Sequence, residues 1–302
     1  MSTFKVAAVQ FRLRAEPDMN AFLAHAEAIV NDAAAAGAEL VLFPELVTTG
    51  LLASYPDADA LGVSDMGAAY KTVFPAVTDA FVHGMRSIAA ARGITVLGGS
   101  HYRRGGDGGF RNTAYLFHPD GRTDTQDKLH LTPSEREMGT APGEDVLVTR
   151  VGPFTVGVQV CADIEFPEVS RHLAKEGVTL LLAPSLTWNR RGASRVRYGA
   201  HARAMENQLY VAVSSLVGSS GLPVGKPLHG TGYATIVQPL DRVFGSNDGV
   251  VASAEDTRED GFVLAELDPE LLQVARGAPE PPGFKWVRED LYDRLRRQRP
   301  DE

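Results

Sequence analysis

Repeatedly along this chain a helical pattern is stopped by one glycine and followed soon after by a short, largely apolar run. Asp18 to Ala36 reads as an alanine-rich helix closed by Gly37, ahead of Leu40 to Phe43. About Thr72 to Arg92 is closed by Gly93, ahead of Ile94 to Gly99, and about Phe166 to Lys175 by Gly177, ahead of Val178 to Ala183. Glycine at the position after a helix adopts the left-handed conformation without a Cβ penalty. A short apolar run without alternation fits a strand covered on both faces. Strands that alternate with helices in this way call for sheets covered by helices and exclude an all-β barrel, so the fold class is α/β.

The remaining pattern agrees. Phe4 to Gln10 alternates as a strand, while Asn112 to His118, Pro119-Asp-Gly121 and Arg122 to Asp127 form a hairpin signal. A further helix over about Ala193 to Gln208 precedes a strand at Leu209 to Ser215, and later strands fall near Thr231 to Gln238 and Phe262 to Leu267. Gly218 to Lys226 reads as a mobile loop. With 302 residues, 44% of them hydrophobic, and no long polar linker, residues 1–280 form one domain with a substantial core. Residues 281–302 open on Pro281-Pro282 and are charged, as expected of a C-terminal arm or a short exposed helix.

The single cysteine, Cys161, ends the apolar stretch Phe154-Thr-Val-Gly-Val-Gln-Val and precedes the polar turn and helix start Ala162-Asp-Ile-Glu-Phe-Pro-Glu168. Open α/β folds keep their sites at such carboxyl edges of strands. A free thiol is also often a small buried hydrophobe, so the placement alone does not decide its role. Two other segments set an ionisable residue just after a strand. Glu45 follows Leu40 to Phe43 and Pro44, and Lys128 follows the second arm of the hairpin. Glu45 can equally be a solvated strand end, and Lys128 a surface charge. Gathered at one edge, the three suit attack on a carbonyl or nitrile carbon: a thiolate is the nucleophile, a shielded carboxylate takes and returns its proton, and an ammonium stabilises the oxyanion with the N–H of Ala162.

These segments resemble the nitrilase superfamily of carbon-nitrogen hydrolases, known for a Glu-Lys-Cys triad. The resemblance runs in order through Phe43-Pro-Glu45, Lys128-Leu-His-Leu131, Cys161 to Glu168, Ala183-Pro-Ser185 with Trp188, and Arg203-Ala-Met-Glu-Asn207. It implies Glu45 as general base, Lys128 as oxyanion stabiliser and Cys161 as nucleophile, with a second glutamate after the lysine. Glu135 has the better spacing for that second position, and Glu137 is the other candidate. The resemblance also implies a four-layer α-β-β-α sandwich, subunits that pair through the helices after the cysteine, and no cofactor. The expected reaction is hydrolysis of a small linear amide or N-carbamoyl compound through a thioester. Nitrile hydrolysis and acyl transfer use the same triad, and a non-catalytic binding or scaffold protein is a different class of function that the intact trio disfavours.

Other residues carry less. Trp188, Asn189, Arg190 and Arg191 follow a strand end and can line a pocket in which arginine clamps a substrate carboxylate, or form an exposed loop. Val169, Leu173, Val196, Tyr198 and Met205 among charged residues suit a mixed dimer interface. Asp163, Glu165 and Glu168 are accounted for by the dipole of the helix they precede. His130 near Lys128 invites a Cys-His reading, which no protease signature around Cys161 supports. Without HExxH or CxxC, no zinc site is expected. A net charge of −8 argues against nucleic-acid binding. The absence of a leader pattern or a long apolar run, together with a lone thiol, argues for a soluble cytoplasmic protein without membrane partners.

Overall fold

The computed structural model describes residues 3–56, 58, 66–219, 229–255, 258–280 and 286–297. Its first half runs β1 (Phe4–Arg12), α1 (Met19–Ala35), β2 (Leu40–Leu42), α2 (Met66–Arg92), β3 (Thr95–Arg104), β4 (Phe110–Phe117), β5 (Thr123–Asp127) and the short α3 (Pro133–Glu137). The second half runs β6 (Val148–Val151), β7 (Phe154–Val158), α4 (Pro167–Lys175), β8 (Leu180–Ser185), α5 (Arg190–Asn207) and β9 (Tyr210–Ser219). Then follow β10 (His229–Gly230), β11 (Thr235–Val237), β12 (Val250–Ser253), β13 (Gly261–Leu267), α6 (Pro269–Gly277) and α7 (Glu289–Arg297).

Hydrogen bonding orders the strands β5-β4-β3-β2-β1-β9-β8-β7-β6, with β13 on β1, β10 and β11 on β9, and β12 on β11. The β1-β2-β3 and β7-β8-β9 pairings are parallel, as helix-covered crossovers require. Phe4 to Gln10 of β1 pairs with β13, and only its end, Gln10 to Arg12, pairs with Ser215 to Val217 of β9. The two leaves therefore join at one crossing and elsewhere stack. Phe4 of the first leaf meets Phe154 of the second edge-on at 5.8 Å between ring centroids.

Alternation along β1 sorts residues between two cores. Val6 and Ala8, with Leu40 and Leu42, meet Val156, Val158, Leu180 and Leu182 between the leaves. Ala7 and Val9, with Val41 and Phe43, meet Phe22 and Ala26 of α1 and Phe81 and Met85 of α2. On the far side Leu173 of α4 lies against Gly157 and Leu181. The result is the four-layer α-β-β-α sandwich, with apolar side chains on both faces of its inner strands.

Several local expectations shift. Helix α2 begins at Met66, ahead of Thr72, and contains Pro75. Helix α5 begins at Arg190, because Asn189 caps it by accepting the Gly192 N–H, so Arg190 and Arg191 belong to its first turn and not to a loop. Gly218 and Ser219, expected in a loop, are the end of β9 and pair with β10; the rest of that expected loop, 220–226, lies outside the described residues. Leu173 and Val196, expected at an interface, are buried in the core, whereas Tyr198 and Met205 are exposed. In the tail, α7 is exposed and tied to the body by a Lys175–Glu289 ion pair.

Candidate active site

Glu45 is aimed by a turn that its sequence does not advertise. β2 ends at Leu42, and Leu46, directly after Glu45, has the left-handed φ of 47°. That conformation costs a non-glycine residue about 1–2 kcal/mol and must be held by its surroundings. The hold comes from β3, where the ladder to β4 is irregular between Leu97 and Ser100. Ser100 N–H donates to the Pro44 carbonyl at 3.2 Å and its Oγ accepts the Leu46 N–H at 3.0 Å. A Cβ on Gly99 (φ 78°) would stand 2.1 Å from the Pro44 carbonyl oxygen, so only glycine lets the two segments approach.

Cys161 sits on a matching turn. β7 ends at Val158, and Cys161 opens a 3-10 turn, Cys161–Glu165, with φ 50°. Here the hold is a side chain. Asp163, fully buried, accepts N–H bonds from Val160 at 3.0 Å, Leu129 at 3.3 Å and His130 at 2.7 Å. It thereby ties the cysteine turn to the segment carrying Lys128, and the helix-dipole account of this carboxylate is replaced by that bridge. Glu165 instead pairs with Arg195 of α5, and Glu168 is exposed. His130 completes the Asp163 contact through Nδ1 at 3.1 Å and stacks on Phe166 at 3.7 Å, engaged away from the thiol.

The structure gathers Glu45, Lys128, Glu135 and Cys161, all buried, into one network. Lys128 Nζ lies 2.7 Å from Glu45 Oε1 and 2.8 Å from Glu135 Oε2. An ammonium has three N–H donors, so one remains for a third acceptor. Glu135 is placed by a capping box on α3, where Thr132 donates from N and Oγ1 to Oε2 at 2.9 Å each. Glu137, on the same short helix, is exposed and outside the cluster. Leu186, directly after β8, joins Glu45 and Cys161 through its backbone: its N–H donates to Glu45 Oε2 at 3.1 Å and its carbonyl accepts from Cys161 Sγ at 3.4 Å.

Burial opposes the charged form of every group in this cluster. It raises the Glu45 carboxyl above the usual range, assisted by the Glu135 charge and opposed by Lys128. Burial and the neighbouring Glu45 charge push the Cys161 thiol well up. For Lys128 burial favours the neutral amine, but Glu45 and Glu135 outweigh it and keep the ammonium. Burial likewise opposes ionisation of Glu135, yet Lys128 and the bonds from Asn112 and Thr132 hold it below the usual range. The resting cluster is thus a protonated thiol beside a carboxylate whose proton affinity is raised, with a fixed cation between two carboxylates.

Sequence reasoning did not single out Asn112 or Leu186, and it assigned Asp163 only to the helix dipole. Asn112 Nδ2 donates to Glu45 Oε1 at 2.9 Å and to Glu135 Oε1 at 3.0 Å. Ala162 follows the nucleophile on the turn. Trp188, Arg190 and Arg191 are exposed, and among the described residues neither arginine makes a hydrogen bond or ion pair. Among the described residues no three metal-ligating side chains converge, and no described helix is long and apolar enough to cross a membrane. A polar cleft of about 440 Å³, lined by Arg103, Arg111, Asp127 and Asp145, does not include the cluster.

The chain is similar to several known proteins. The Bacillus subtilis protein named probable hydrolase YhcX is 31% identical over 292 residues, covering 95% of this chain and 54% of that protein, so the chain spans about half the length of this relative. The chloroplastic omega-amidase of Arabidopsis thaliana is 27% identical, covering 100% of this chain and 77% of its own. The crystal structure of an amidase from Nesterenkonia sp. superposes with a TM-score of 0.74 at 24% identity, over 97% of this chain and 96% of that one, which establishes the shared fold. The carbon-nitrogen hydrolase family profile matches residues 5–276, and with the four-layer fold beneath it this places the chain in the carbon-nitrogen hydrolase family.

Proposed function

We propose that the protein hydrolyses the carboxamide bond of a small linear amide or N-carbamoyl compound through a thioester on Cys161, releasing ammonia or an amine. The observation that carries this reading is the Leu186 bridge, which holds Glu45 Oε2 and Cys161 Sγ on one backbone unit while Lys128 binds the other oxygen of the same carboxylate. The omega-amidase name of the Arabidopsis relative supports the amide class.

In this reading the thiol, protonated at rest, loses its proton to Glu45 as Sγ adds to the substrate carbon. The carbonyl oxygen becomes an oxyanion, bonded by the remaining N–H of Lys128 and the N–H of Ala162. Collapse breaks the C–N bond, and Glu45 returns the proton to the departing nitrogen, leaving the thioester. Water then gives a proton to Glu45 and adds to the thioester carbon; release of the acid restores the thiol. Glu135 holds Lys128 against its tendency to neutralise on burial. Residues 1–280 serve as the hydrolase domain, and a lone unoxidised thiol suits the cytoplasm. The exposed apolar side chains Phe166, Tyr198 and Met205 lie on or beside α4 and α5 and support pairing of two subunits through that face.

Ammonia release across a panel of amides, ureides and nitriles, with intact-mass detection of an acylated chain, tests the proposal. Turnover of amides or ureides with one acyl adduct per chain is expected. Turnover confined to nitriles, or a panel that yields neither ammonia nor adduct, overturns it.

A further inference from the structure

The two glutamates of the cluster are bridged twice, once by a cation and once by a neutral amide. Asn112 lies on β4, is 1% exposed, and has only two N–H donors; both go to carboxylate oxygens, one on Glu45 and one on Glu135. The reversed amide would set its oxygen against two anions, so the contacts fix the orientation. Asn112 Oδ1 meets no hydrogen-bond donor among the described residues, so the side chain is committed to the cluster through its nitrogen alone. β4 also supplies the acceptor for the base of Lys128, since Lys128 N–H donates to the Asn112 carbonyl at 2.8 Å. One residue therefore touches both carboxylates with its side chain and the lysine with its backbone.

We propose that Asn112 is a positioning residue that keeps Glu45 and Glu135 ionised side by side and turns Glu45 Oε2 toward the Cys161 thiol. This rests on the proposed role of Glu45 as the proton acceptor. Lys128 alone cannot do this work: it gives Glu45 a single bond, to Oε1, and it is the second bond to Oε1, from Asn112, together with the Leu186 N–H on Oε2 that sets the plane of the carboxylate beside the thiol. The groups facing this carboxylate are Lys128, Glu135, Cys161, Tyr70 of α2 and Tyr102 of β3. Of these only Lys128 is cationic, so removing the amide donors leaves the two carboxylates with less support. Glu45 then holds a proton to higher pH and is lost as a base over that range. Because the groups titrate together, the affected value belongs to the cluster.

The test measures the pH dependence of acylation in Asn112→Ala and in the near-isosteric Asn112→Asp, with thermal melting as a folding control. The acidic limb of kcat/KM should move up by about one pH unit or more in Asn112→Ala, and further in Asn112→Asp, whose third carboxylate shares the same lysine. KM should change less than kcat. Since the chain has one cysteine, the pH profile of its alkylation by iodoacetamide reports the same cluster without a substrate, and it should move in the same order. A loss equal at every pH, with the limb unmoved in both variants and in alkylation, would overturn the proposal in favour of simple packing. A wild-type enzyme that turns over no amide, with the alkylation limb displaced as stated in the two variants, would overturn the amidase reading and leave the role of Asn112 standing.

Discussion

The two halves of the molecule solve one problem in different ways. Each must present a reactive side chain from a left-handed, non-glycine turn after a parallel strand: Leu46 behind β2, Cys161 behind β7. In the first half the turn is locked by neutral groups, the irregular β3 backbone with Gly99 and the hydroxyl of Ser100. In the second half it is locked by an ionisable group, Asp163, which also reaches across to Leu129 and His130. The base turn should therefore be insensitive to pH, and the nucleophile turn sensitive. Burial raises the Asp163 carboxyl, although N–H bonds from His130, Leu129 and Val160 oppose it. The folded state thus holds that proton to higher pH than the unfolded chain. Stability from this group is largest at low pH and declines as pH rises through the folded value, whereas acceptance of every N–H at the turn needs the ionised form.

The largest expected effect is on the second half. Cys161→Ala should lower turnover by at least about four orders of magnitude while melting temperature and oligomer stay unchanged, since the covalent step is lost and little volume is removed. Near wild-type hydrolysis by the purified variant would remove the nucleophile from the scheme. On the first half, Glu45→Gln should slow thioester formation by roughly two to four orders of magnitude in single-turnover assays. Lys128→Met should do the same and also destabilise the fold by about 3–5 kcal/mol, because two buried carboxylates lose their cation. Unchanged acylation in Lys128→Met would take the lysine out of the oxyanion site.

Much of this was legible in the sequence. Glycine-stopped helices ahead of apolar runs gave the layered α/β fold, and Glu45, Lys128 and Cys161 stood out because each is ionisable just past a strand. Spacing to Lys128 favoured Glu135 over Glu137, and α3 shows the physical reason, since one caps its own helix and the other faces solvent. Asn112 stayed hidden because its face is decided by the pairing of β4 with β3, not by local pattern. Asp163 was misread because its partners, Leu129 and His130, lie more than thirty residues away in sequence. Leu186 acts through its backbone, so its side chain carried no signal at all. The strain at Leu46 and Cys161 is equally invisible, since neither residue is a glycine.

A direct contrast of the two locks comes next in size. Asp163→Asn places an NH2 against backbone N–H donors and should slow acylation by about a hundredfold, the scale of misplacing a reacting group by an ångström. It should also cost about 1–3 kcal/mol in denaturant unfolding. Ser100→Ala removes one hydrogen bond, about 1 kcal/mol, and should leave acylation within tenfold of wild type. Equal rate losses in both would end the distinction between the halves. The wild-type pH profile sharpens it further: because burial raises the Glu45 carboxyl, the acidic limb of kcat/KM should lie above 4.5, its unperturbed value. A limb at or below 4.5 would mean that the Lys128 charge, not burial, governs the base.

The smallest effect concerns the exposed start of α5, close behind the Leu186 bridge that joins the halves. Arg190 and Arg191 are solvent-facing, and neither guanidinium is paired with a carboxylate among the described residues. A substrate carboxylate that extends from the cluster past Trp188 would meet them at the surface, where an ion pair contributes about 0–1 kcal/mol. Arg190→Met and Arg191→Met should therefore lower kcat/KM for an acidic amide by no more than about fivefold and leave a matched neutral amide unchanged, with the difference shrinking as salt is added. Bidentate clamping in a closed pocket would give a much larger, salt-resistant loss. Equal effects on both substrates would assign the arginines to the surface or to subunit pairing, and the preference for acidic amides would then have no support from this end of the helix.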